Sequence, residues 1–182
     1  MTALSASLTH ALLGPAGPQR VRASQVLLVM ALWVKLDSPG PVFFRQERVG
    51  RGGRPFWIHK FRSMRVGTPA VATHLLPNPK AQLTPIGSFL RKSSLDELPQ
   101  LWSILVGDMS FVGPRPALFN QHDLIVLRTQ KNVHTLVPGL TGWAQVNGRD
   151  ELELHTKVAY DADYLRNQSL LFDLRILFIT VT

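Results

Sequence analysis

Residues 94–100 read Ser94-Leu95-Asp96-Glu97-Leu98-Pro99-Gln100, and they place two adjacent carboxylates at the head of an apolar segment with helical periodicity. Arg91-Lys92 stands just before the pair, and an arginine between two prolines follows in Gly113-Pro114-Arg115-Pro116. Carboxylates can act as nucleophiles or hold a divalent cation, and arginines can hold phosphate oxygens. Phosphoryl transfer needs these parts. We therefore expect the function to centre on Asp96 and Glu97.

The same stretch also has a purely structural interpretation. Ser94 and Glu97 match the S-x-x-E capping box, in which both side chains satisfy free amides at a helix start. Asp96 would then merely favour the positive end of the helix dipole. Pro99 weakens this interpretation, because a proline fifth in a helix loses an amide bond and crowds a carbonyl one turn back. We expect a helix over 94–106 that begins or bends near Pro99, and both interpretations stay open.

Composition limits the class of protein. The 182 residues are enough for one ordinary core, and 45% hydrophobic content with a mean hydropathy of +0.06 excludes both disorder and a polytopic membrane protein. The absence of cysteine excludes disulfides and thiolate metal sites. The six histidines show no short metal-ligand spacing, so we interpret them as isolated side chains.

The net charge of +8 is distributed unevenly along the chain. Residues 1–95 contain 13 basic and 2 acidic residues, whereas residues 96–182 contain 7 basic and 10 acidic ones. Arginine supplies 14 of the 20 basic residues, and arginine is favoured where planar, bidentate phosphate recognition matters. The front half thus predicts an anionic partner, which composition alone leaves open among nucleotide phosphates, nucleic acid and anionic lipid.

An apolar run near the start, Val26 to Val34, predicts a helix. Nine residues span roughly 14 Å, and extending the helix over Val21–Leu36 gives only about 24 Å, against a hydrocarbon core of ~30 Å. The helix can therefore enter one leaflet without spanning the bilayer. A buried core helix is the alternative. Residues 37–41, Asp-Ser-Pro-Gly-Pro, should end it.

The rest of the chain predicts an α+β fold, mostly helical, a single domain with a small β-hairpin. Strands over Val42–Arg48 and Pro55–Arg62 flank the turn Gly50-Arg51-Gly52-Gly53. Residues 66–82 are predicted to be a loop, and Pro138–Gly148 is turn-like. Further helices are expected over Leu118–Thr129, Glu151–Arg166 and Leu170–Val181.

Three further basic residues are candidates for anion binding. Arg115 is presented stiffly by its two prolines, although a surface turn explains such a segment equally well. Lys60 and Arg62 alternate with aromatic residues in a run that would also suit single-stranded nucleic acid. No known nucleic-acid module is present, and the acidic second half argues against an extended groove, so we expect no nucleic-acid partner.

Taken in order, the motifs closely resemble those of the bacterial sugar transferases, the monotopic polyprenyl-phosphate phosphoglycosyl transferases of the small, catalytic-domain-only type. The resemblance covers about residues 35–181. The matching segments are Lys35-Leu36-Asp37-Ser38-Pro39-Gly40-Pro41-Val42-Phe43-Phe44-Arg45-Gln46, Lys60-Phe61-Arg62-Ser63-Met64, Leu90-Arg91-Lys92-Ser93-Ser94-Leu95-Asp96-Glu97-Leu98-Pro99-Gln100-Leu101, Gly107-Asp108-Met109-Ser110-Phe111-Val112-Gly113-Pro114-Arg115-Pro116, the loop Pro138–Arg149, and Tyr160-Asp161-Ala162-Asp163-Tyr164.

The resemblance implies that the protein moves a sugar 1-phosphate from a UDP-sugar to undecaprenyl phosphate and releases UMP. This reaction starts a glycan on its lipid carrier, as in exopolysaccharide, O-antigen or other glycoconjugate synthesis. The Asp of the family's Asp-Glu pair is the nucleophile, which assigns that role to Asp96, with an aspartyl phospho-sugar intermediate. Glu97, with Asp96, would hold Mg²⁺. Family positions that handle phosphate match Arg91, Arg115 and Arg149, and we add Lys60 and Arg62 to the substrate-binding candidates.

The resemblance also implies attachment to membrane lipids at the cytoplasmic face of the bacterial inner membrane. We divide the chain into a membrane-associating segment, 1–36, with peripheral amphipathic helices elsewhere, and a catalytic domain, 37–182. Residues 11–22 depart from the family, which has a basic-Phe-Asp entry and a long re-entrant helix with a Ser-Pro hinge. An impaired, sugar-nucleotide-binding or membrane-peripheral relic is therefore the alternative. The sequence does not specify the sugar or the oligomeric state.

Overall fold

The computed structural model describes residues 23–69, 71, 76–148 and 152–181. Within these ranges the protein is mostly helical with two small sheets, which confirms the α+β class. The segment 11–22, where the sequence departs from the family, lies outside the described residues, and so does Arg149. No helix in the described ranges combines the length and the apolar character needed to cross a membrane.

The helices and strands account for most of the described chain. The helices are α1 (Ala23–Asp37), α2 (Gly87–Lys92), α3 (Leu101–Val106), α4 (His122–Gln130), α5 (Trp143–Val146), α6 (Leu154–Asn167) and α7 (Leu170–Val181). The strands are β1 (Phe43–Val49), β2 (Pro55–Phe61), β3 (Ser110–Val112), β4 (Ala117–Leu118) and β5 (Gly139–Thr141). Short 3₁₀ turns cover Arg51–Gly53, Pro79–Gln82, Leu95–Gln100 and Val133–Thr135.

The predicted hairpin is confirmed. β1 and β2 are joined by a turn in which Gly52 and Gly53 have φ of +68° and +79°, a region that glycine enters without steric cost. The sheet order is β2-β1-β4, and β4 is antiparallel to β1, with Arg48 opposite Leu118. The second sheet pairs β3 and β5 in parallel.

The chain divides into two compact units. The first unit takes in the described residues up to Arg45 together with His59–Leu105, and the second takes in Gln46–Ile58 and the described residues from Val106 onward. In the first unit one face of α1 packs on the end of β2 and on α2, because apolar side chains recur at helical spacing. The buried residues of this core are Met30, Val34, Phe61, Ile86 and Leu90.

Among the described residues of the second unit, two apolar clusters are present. Val112 of β3, Tyr164 of α6 and Ile176 of α7 form one of them, and Ala117, Leu124 and Val158 form the other. The β3–β5 junction is tight, since a Cβ on Gly113 would lie 2.4 Å from the Val137 carbonyl oxygen. Glycine is therefore required at position 113, which connects β3 to the Pro114-Arg115-Pro116 segment.

Several predicted boundaries are wrong for identifiable reasons. The expected interruption near Pro99 is confirmed, because a 3₁₀ turn, Leu95–Gln100, is followed by the α-helix α3, but the segment is not one continuous α-helix over 94–106. The helix expected over 118–129 begins only at His122, since Ala117–Leu118 pairs with β1 as a strand. The turn-like segment 138–148 contains β5 and α5. The last two predicted helices are confirmed as α6 and α7.

Candidate active site

An ion pair joins the hairpin to the Leu95–Gln100 turn in the first unit. Lys60, near the end of β2, donates from Nζ to Oε1 of Glu97 at 2.5 Å. Their side chains are only 15% and 18% exposed, so water screens this pair less than it would a surface pair. Glu97 is thereby fixed in place by a residue 37 positions earlier in the chain.

Asp96 is the more deeply buried of the two carboxylates, with 7% of its surface exposed. Burial has the largest effect and raises the pKa of the Asp96 carboxyl above its ordinary value of 3.8. Lys60 opposes that rise most strongly, Glu97 adds to it, and Arg91 on α2 lowers it. Asp96 is therefore a buried carboxyl group on which two cations, Lys60 and Arg91, oppose the effect of burial.

The capping-box interpretation is wrong for this pair. Ser94 has φ +56° and ψ +16°, in the left-handed region, and among the described residues its side chain makes no capping hydrogen bond. The Glu97 amide instead donates to the Ser94 backbone carbonyl at 3.1 Å, and the Glu97 carboxylate bonds to Lys60. Ser94 therefore acts as the turn residue that ends α2 and starts the 3₁₀ turn.

We call Lys60, Arg91, Asp96 and Glu97 the charged cluster, and all four belong to the first unit. Their charges sum to zero, yet the two carboxylates differ in environment. Glu97 is bound to an ammonium, whereas burial is the largest influence on Asp96. The family resemblance predicts Asp96 as the nucleophile and Glu97, with Asp96, as the Mg²⁺ ligands, and these roles stay predictions.

Arg62 has a structural position in the same unit. It is 5% exposed, and its guanidinium donates from Nε to the Pro41 carbonyl at 2.6 Å and from Nη2 to the Ser38 carbonyl at 2.7 Å. These bonds fix the segment after α1. The alternation of basic and aromatic residues in the sequence does not indicate this burial. The predicted substrate-binding role of Arg62 stays a prediction.

Arg115 lies in the second unit, in a segment that is not a surface turn. Pro114 and Pro116 are buried and Arg115 is half-buried. The Arg115 carbonyl accepts from Nη1 of Arg128 at 2.8 Å. Arg128 in turn donates from Nε and Nη2 to Oδ2 of Asp161, at 2.9 and 2.7 Å.

Sequence reasoning missed the Arg128–Asp161 pair. Two signals were available: Arg128 falls one turn after Leu124 on the buried stripe of α4, and Asp161 lies inside the matched Tyr160–Tyr164 motif. An arginine on an apolar stripe needs a buried partner. The described residues contain no group of three or more histidine, aspartate or glutamate side chains that could hold a metal ion by themselves.

The family of this chain follows from comparison with known proteins. A family model described as bacterial sugar transferase matches residues 18–182. The chain belongs to the bacterial sugar transferase family. This assignment confirms the family resemblance carried by the Asp96-Glu97 and Pro114-Arg115-Pro116 motifs.

Three relatives illustrate the range of similarity. A UDP-glucose:undecaprenyl-phosphate glucose-1-phosphate transferase of Xanthomonas campestris pv. campestris is 49% identical over 163 residues, which cover 85% of this chain and 34% of that protein. The uncharacterized sugar transferase EpsL of Bacillus subtilis (strain 168) is 43% identical, over 87% of this chain and 77% of that protein. A UDP-N-acetylgalactosamine-undecaprenyl-phosphate N-acetylgalactosaminephosphotransferase of Aeromonas hydrophila is 38% identical, over 87% of this chain and 38% of that protein. The chain thus spans about a third of the length of two of these three relatives.

The raised pKa of Asp96 gives a stability prediction with a definite sign. The folded state binds the Asp96 proton more tightly than the unfolded chain does. Stability therefore falls as pH rises from 3.8 through the raised folded-state pKa, and the loss persists above it. Asp96→Asn has no charge to desolvate, so at pH 7 it should raise Tm by a few degrees, at about 2–4 °C per kcal/mol.

Thermal unfolding of both proteins between pH 4 and 8 measures this difference. The gain in Tm should shrink as the pH falls, because wild-type Asp96 then carries a proton as well. Asp108→Asn is the matched control, since Asp108 is exposed and should leave Tm unchanged at each pH. A lower Tm for Asp96→Asn at pH 7 would contradict the prediction.

Proposed function

We propose that this protein transfers a sugar 1-phosphate from a UDP-sugar to undecaprenyl phosphate and releases UMP. The observation that carries the proposal is buried Asp96, adjacent to a Glu97 carboxylate held by Lys60. The names of the Xanthomonas and Aeromonas relatives support the substrate classes, a UDP-sugar and undecaprenyl phosphate. Membership of the bacterial sugar transferase family supports the reaction type.

In the first half-reaction, a carboxylate oxygen of Asp96 attacks the sugar-proximal phosphorus of the UDP-sugar. A new oxygen–phosphorus bond forms, and the bond from that phosphorus to the bridging oxygen breaks, so UMP leaves with the bonding electron pair. Asp96 is better suited to this attack than Glu97, because the Lys60 ammonium ties up the Glu97 carboxylate. The result is an aspartyl phospho-sugar.

In the second half-reaction, a phosphate oxygen of undecaprenyl phosphate attacks the same phosphorus. The bond to Asp96 breaks, the carboxylate is restored, and the sugar leaves as a diphosphate-linked lipid. Such a two-step exchange on one nucleophile predicts ping-pong kinetics. No external proton donor is needed, since both leaving groups are stable anions.

The cations near Asp96 address the main electrostatic obstacle, which is the approach of one anion to another. Lys60 and Arg91 act on the Asp96 carboxylate, and both lower its pKa. They therefore keep more of it ionised than burial alone would allow. Positioned cations also stabilise the charge that spreads over the phosphoryl oxygens in such transition states. Arg115 and Arg149 are our candidates for the same task on the substrate.

The donor set at this site fits Mg²⁺. Protein sites for Mg²⁺ commonly offer one or two carboxylates and leave the remaining positions to water and substrate phosphates. Asp96 and Glu97 are two adjacent carboxylates of this kind, and the described residues supply no third acidic or histidine ligand. When bound, Mg²⁺ would neutralise charge on the pyrophosphate. Glu97, held by Lys60, is the residue we assign to hold it, with Asp96 alongside.

The outer face of α1 supports contact with membrane lipids. Met30 and Val34 are buried against the core of the first unit, yet the opposite face is apolar too. Its side chains are between 48% and 77% exposed, and Phe89 of α2 packs 5.8 Å from Trp33 between ring centroids. The exposed residues of this face are Leu28, Val29, Leu32, Trp33 and Leu36.

Helix α7 of the second unit has a similar outer face. Ile176 is fully buried, whereas Leu170, Leu171 and Phe178 are 68–80% exposed. Exposed apolar patches of this kind normally mark surfaces that contact another protein or a membrane. We therefore propose that both faces lie in the membrane interface, on the cytoplasmic side where nucleotide sugars are found.

The central test measures UMP release with a panel of UDP-sugars and undecaprenyl phosphate in membranes. Asp96→Asn should lower turnover by about 10³-fold or more, because it removes the nucleophile. Asp108→Asn, an exposed carboxylate outside the charged cluster, should retain wild-type turnover. Without acceptor, the wild-type protein should carry a phospho-sugar adduct on Asp96 by peptide mass mapping. Robust turnover by Asp96→Asn would overturn the nucleophile assignment.

The pH dependence of kcat/KM tests the role of Lys60. Asp96 must be ionised to attack, so activity should rise with pH through the pKa of its carboxyl. Lys60→Met removes the strongest influence that lowers this pKa and should move the acidic limb to higher pH. Lys60→Arg keeps the charge and should leave the limb near its wild-type position. An unmoved limb in Lys60→Met would show that Lys60 does not act on the nucleophile.

Flotation with vesicles of phosphatidylcholine and phosphatidylglycerol tests the lipid-binding face. The double variant Leu28→Glu with Leu32→Glu places two charges on exposed positions of α1 and should lower vesicle partitioning by at least about tenfold. Gln25→Glu places a charge on an exposed position near the start of the same helix and should leave vesicle partitioning unchanged. Equal partitioning by the double variant would contradict the assignment. A wild-type protein that stays soluble and inert toward the lipid acceptor would favour the relic.

A further inference from the structure

The Pro114-Arg115-Pro116 segment is held through its carbonyl oxygens. Neither proline has an amide N–H, so the backbone has few donors with which to bond to neighbours. All three of its carbonyls nevertheless accept a hydrogen bond within the second unit. The donors are Gly139 N–H to Pro114 at 3.0 Å, Arg128 Nη1 to Arg115 at 2.8 Å, and Arg48 Nη1 to Pro116 at 3.0 Å.

The two arginines that hold this segment are themselves fixed. Arg128 is 8% exposed, and its Nε and Nη2 both donate to Oδ2 of Asp161, which is 1% exposed. Arg48 donates from Nη2 to Oε1 of Gln46 at 2.6 Å. Each guanidinium thus uses one edge to anchor itself and another to hold a carbonyl. The Arg115 carbonyl is thus held by Arg128, and the next carbonyl, that of Pro116, is held by Arg48.

Fold stability is a weak explanation for the buried pair. Burial raises the pKa of Asp161, although the charge and hydrogen bonds of Arg128 oppose the rise. Desolvating two charges costs about as much as their attraction returns, so apolar residues of the same volume often stabilise a core equally well. What apolar residues cannot do is donate a directed hydrogen bond to the Arg115 carbonyl.

We propose that Arg128, fixed by Asp161, is a positioning residue that holds the Arg115 backbone so that the Arg115 guanidinium meets the substrate phosphates, with Arg48 as a second, weaker support. The inference rests on the proposed function, because it takes Arg115 to bind phosphate. Arg128 acts only through Arg115 and does not itself touch the substrate. The same logic makes Asp161 a support one step further removed.

A double-mutant cycle on the full chain in membranes tests this directly. Arg128→Lys keeps a positive charge but cannot bond to Asp161 and the Arg115 carbonyl with one planar fork. It should lower kcat/KM for the UDP-sugar by about 10- to 100-fold, the cost of a small misplacement of a binding group. In an Arg115→Ala background the same change should cost less than about twofold, because the group it positions is gone.

Two further variants separate positioning from folding. Arg48→Lys alters a half-buried residue and should also lower kcat/KM, again with little effect once Arg115 is alanine. Arg166→Lys is the matched control, since Arg166 pairs with Asp163 on the surface of α6 at 3.4 Å and is 71% exposed. It should change kcat/KM in neither background. Tm, measured for each variant, shows whether it is folded at the assay temperature.

The outcomes distinguish the two levels of the proposal. Equal losses from Arg128→Lys with and without the Arg115 side chain would mean a general structural effect and would overturn the positioning role. A fully active Arg115→Ala would overturn that role together with the phosphate-binding assignment, while wild-type UMP release would leave the proposed reaction standing. A wild-type protein that releases no UMP would instead reject the proposed function itself.

Discussion

The left-handed conformation of Ser94 is the constraint on which the charged cluster depends. An αL residue commonly ends a helix, but it is usually glycine, and other residues pay about 1–2 kcal/mol there. Ser94 adopts this conformation between α2 and the following 3₁₀ turn. Arg91 before this residue and Glu97 after it both act on the charge of Asp96, so the local backbone strain lies within the charged cluster itself.

That arrangement gives the two adjacent carboxylates different environments. Two adjacent aspartate or glutamate side chains in water would have nearly equal affinities for protons and cations. Here burial affects Asp96 most, while Lys60 takes hold of Glu97. The difference between the two groups arises from the hairpin, because Lys60 stands near the end of β2. A short hairpin therefore has a chemical consequence that its size alone does not suggest.

Sequence periodicity predicted the elements that are set by local spacing, and it failed where distant residues decide. The run 26–34 and the glycine turn of the hairpin were sufficient to place α1, β1 and β2. The helix start near 118 was wrong, because pairing with β1 draws Leu118 into a strand. The motif order pointed to the Asp96-Glu97 pair, but the partners of Arg128 and Arg62 are set by tertiary contacts between residues that are distant in the sequence.

In the second unit, the buried ion pair compensates for the lack of backbone donors in the proline-rich segment. A segment with two prolines is stiff within itself, yet it has few donors with which to attach to its surroundings. Directed guanidinium donors meet that need, and the buried guanidinium of Arg128 is in turn paired with the Asp161 carboxylate. The buried ion pair thus supplies a fixed hydrogen-bond donor to the proline-rich segment that carries Arg115. On the proposal that Arg115 binds phosphate, the need for a fixed support of its backbone explains why charge is retained where apolar packing would serve stability equally well.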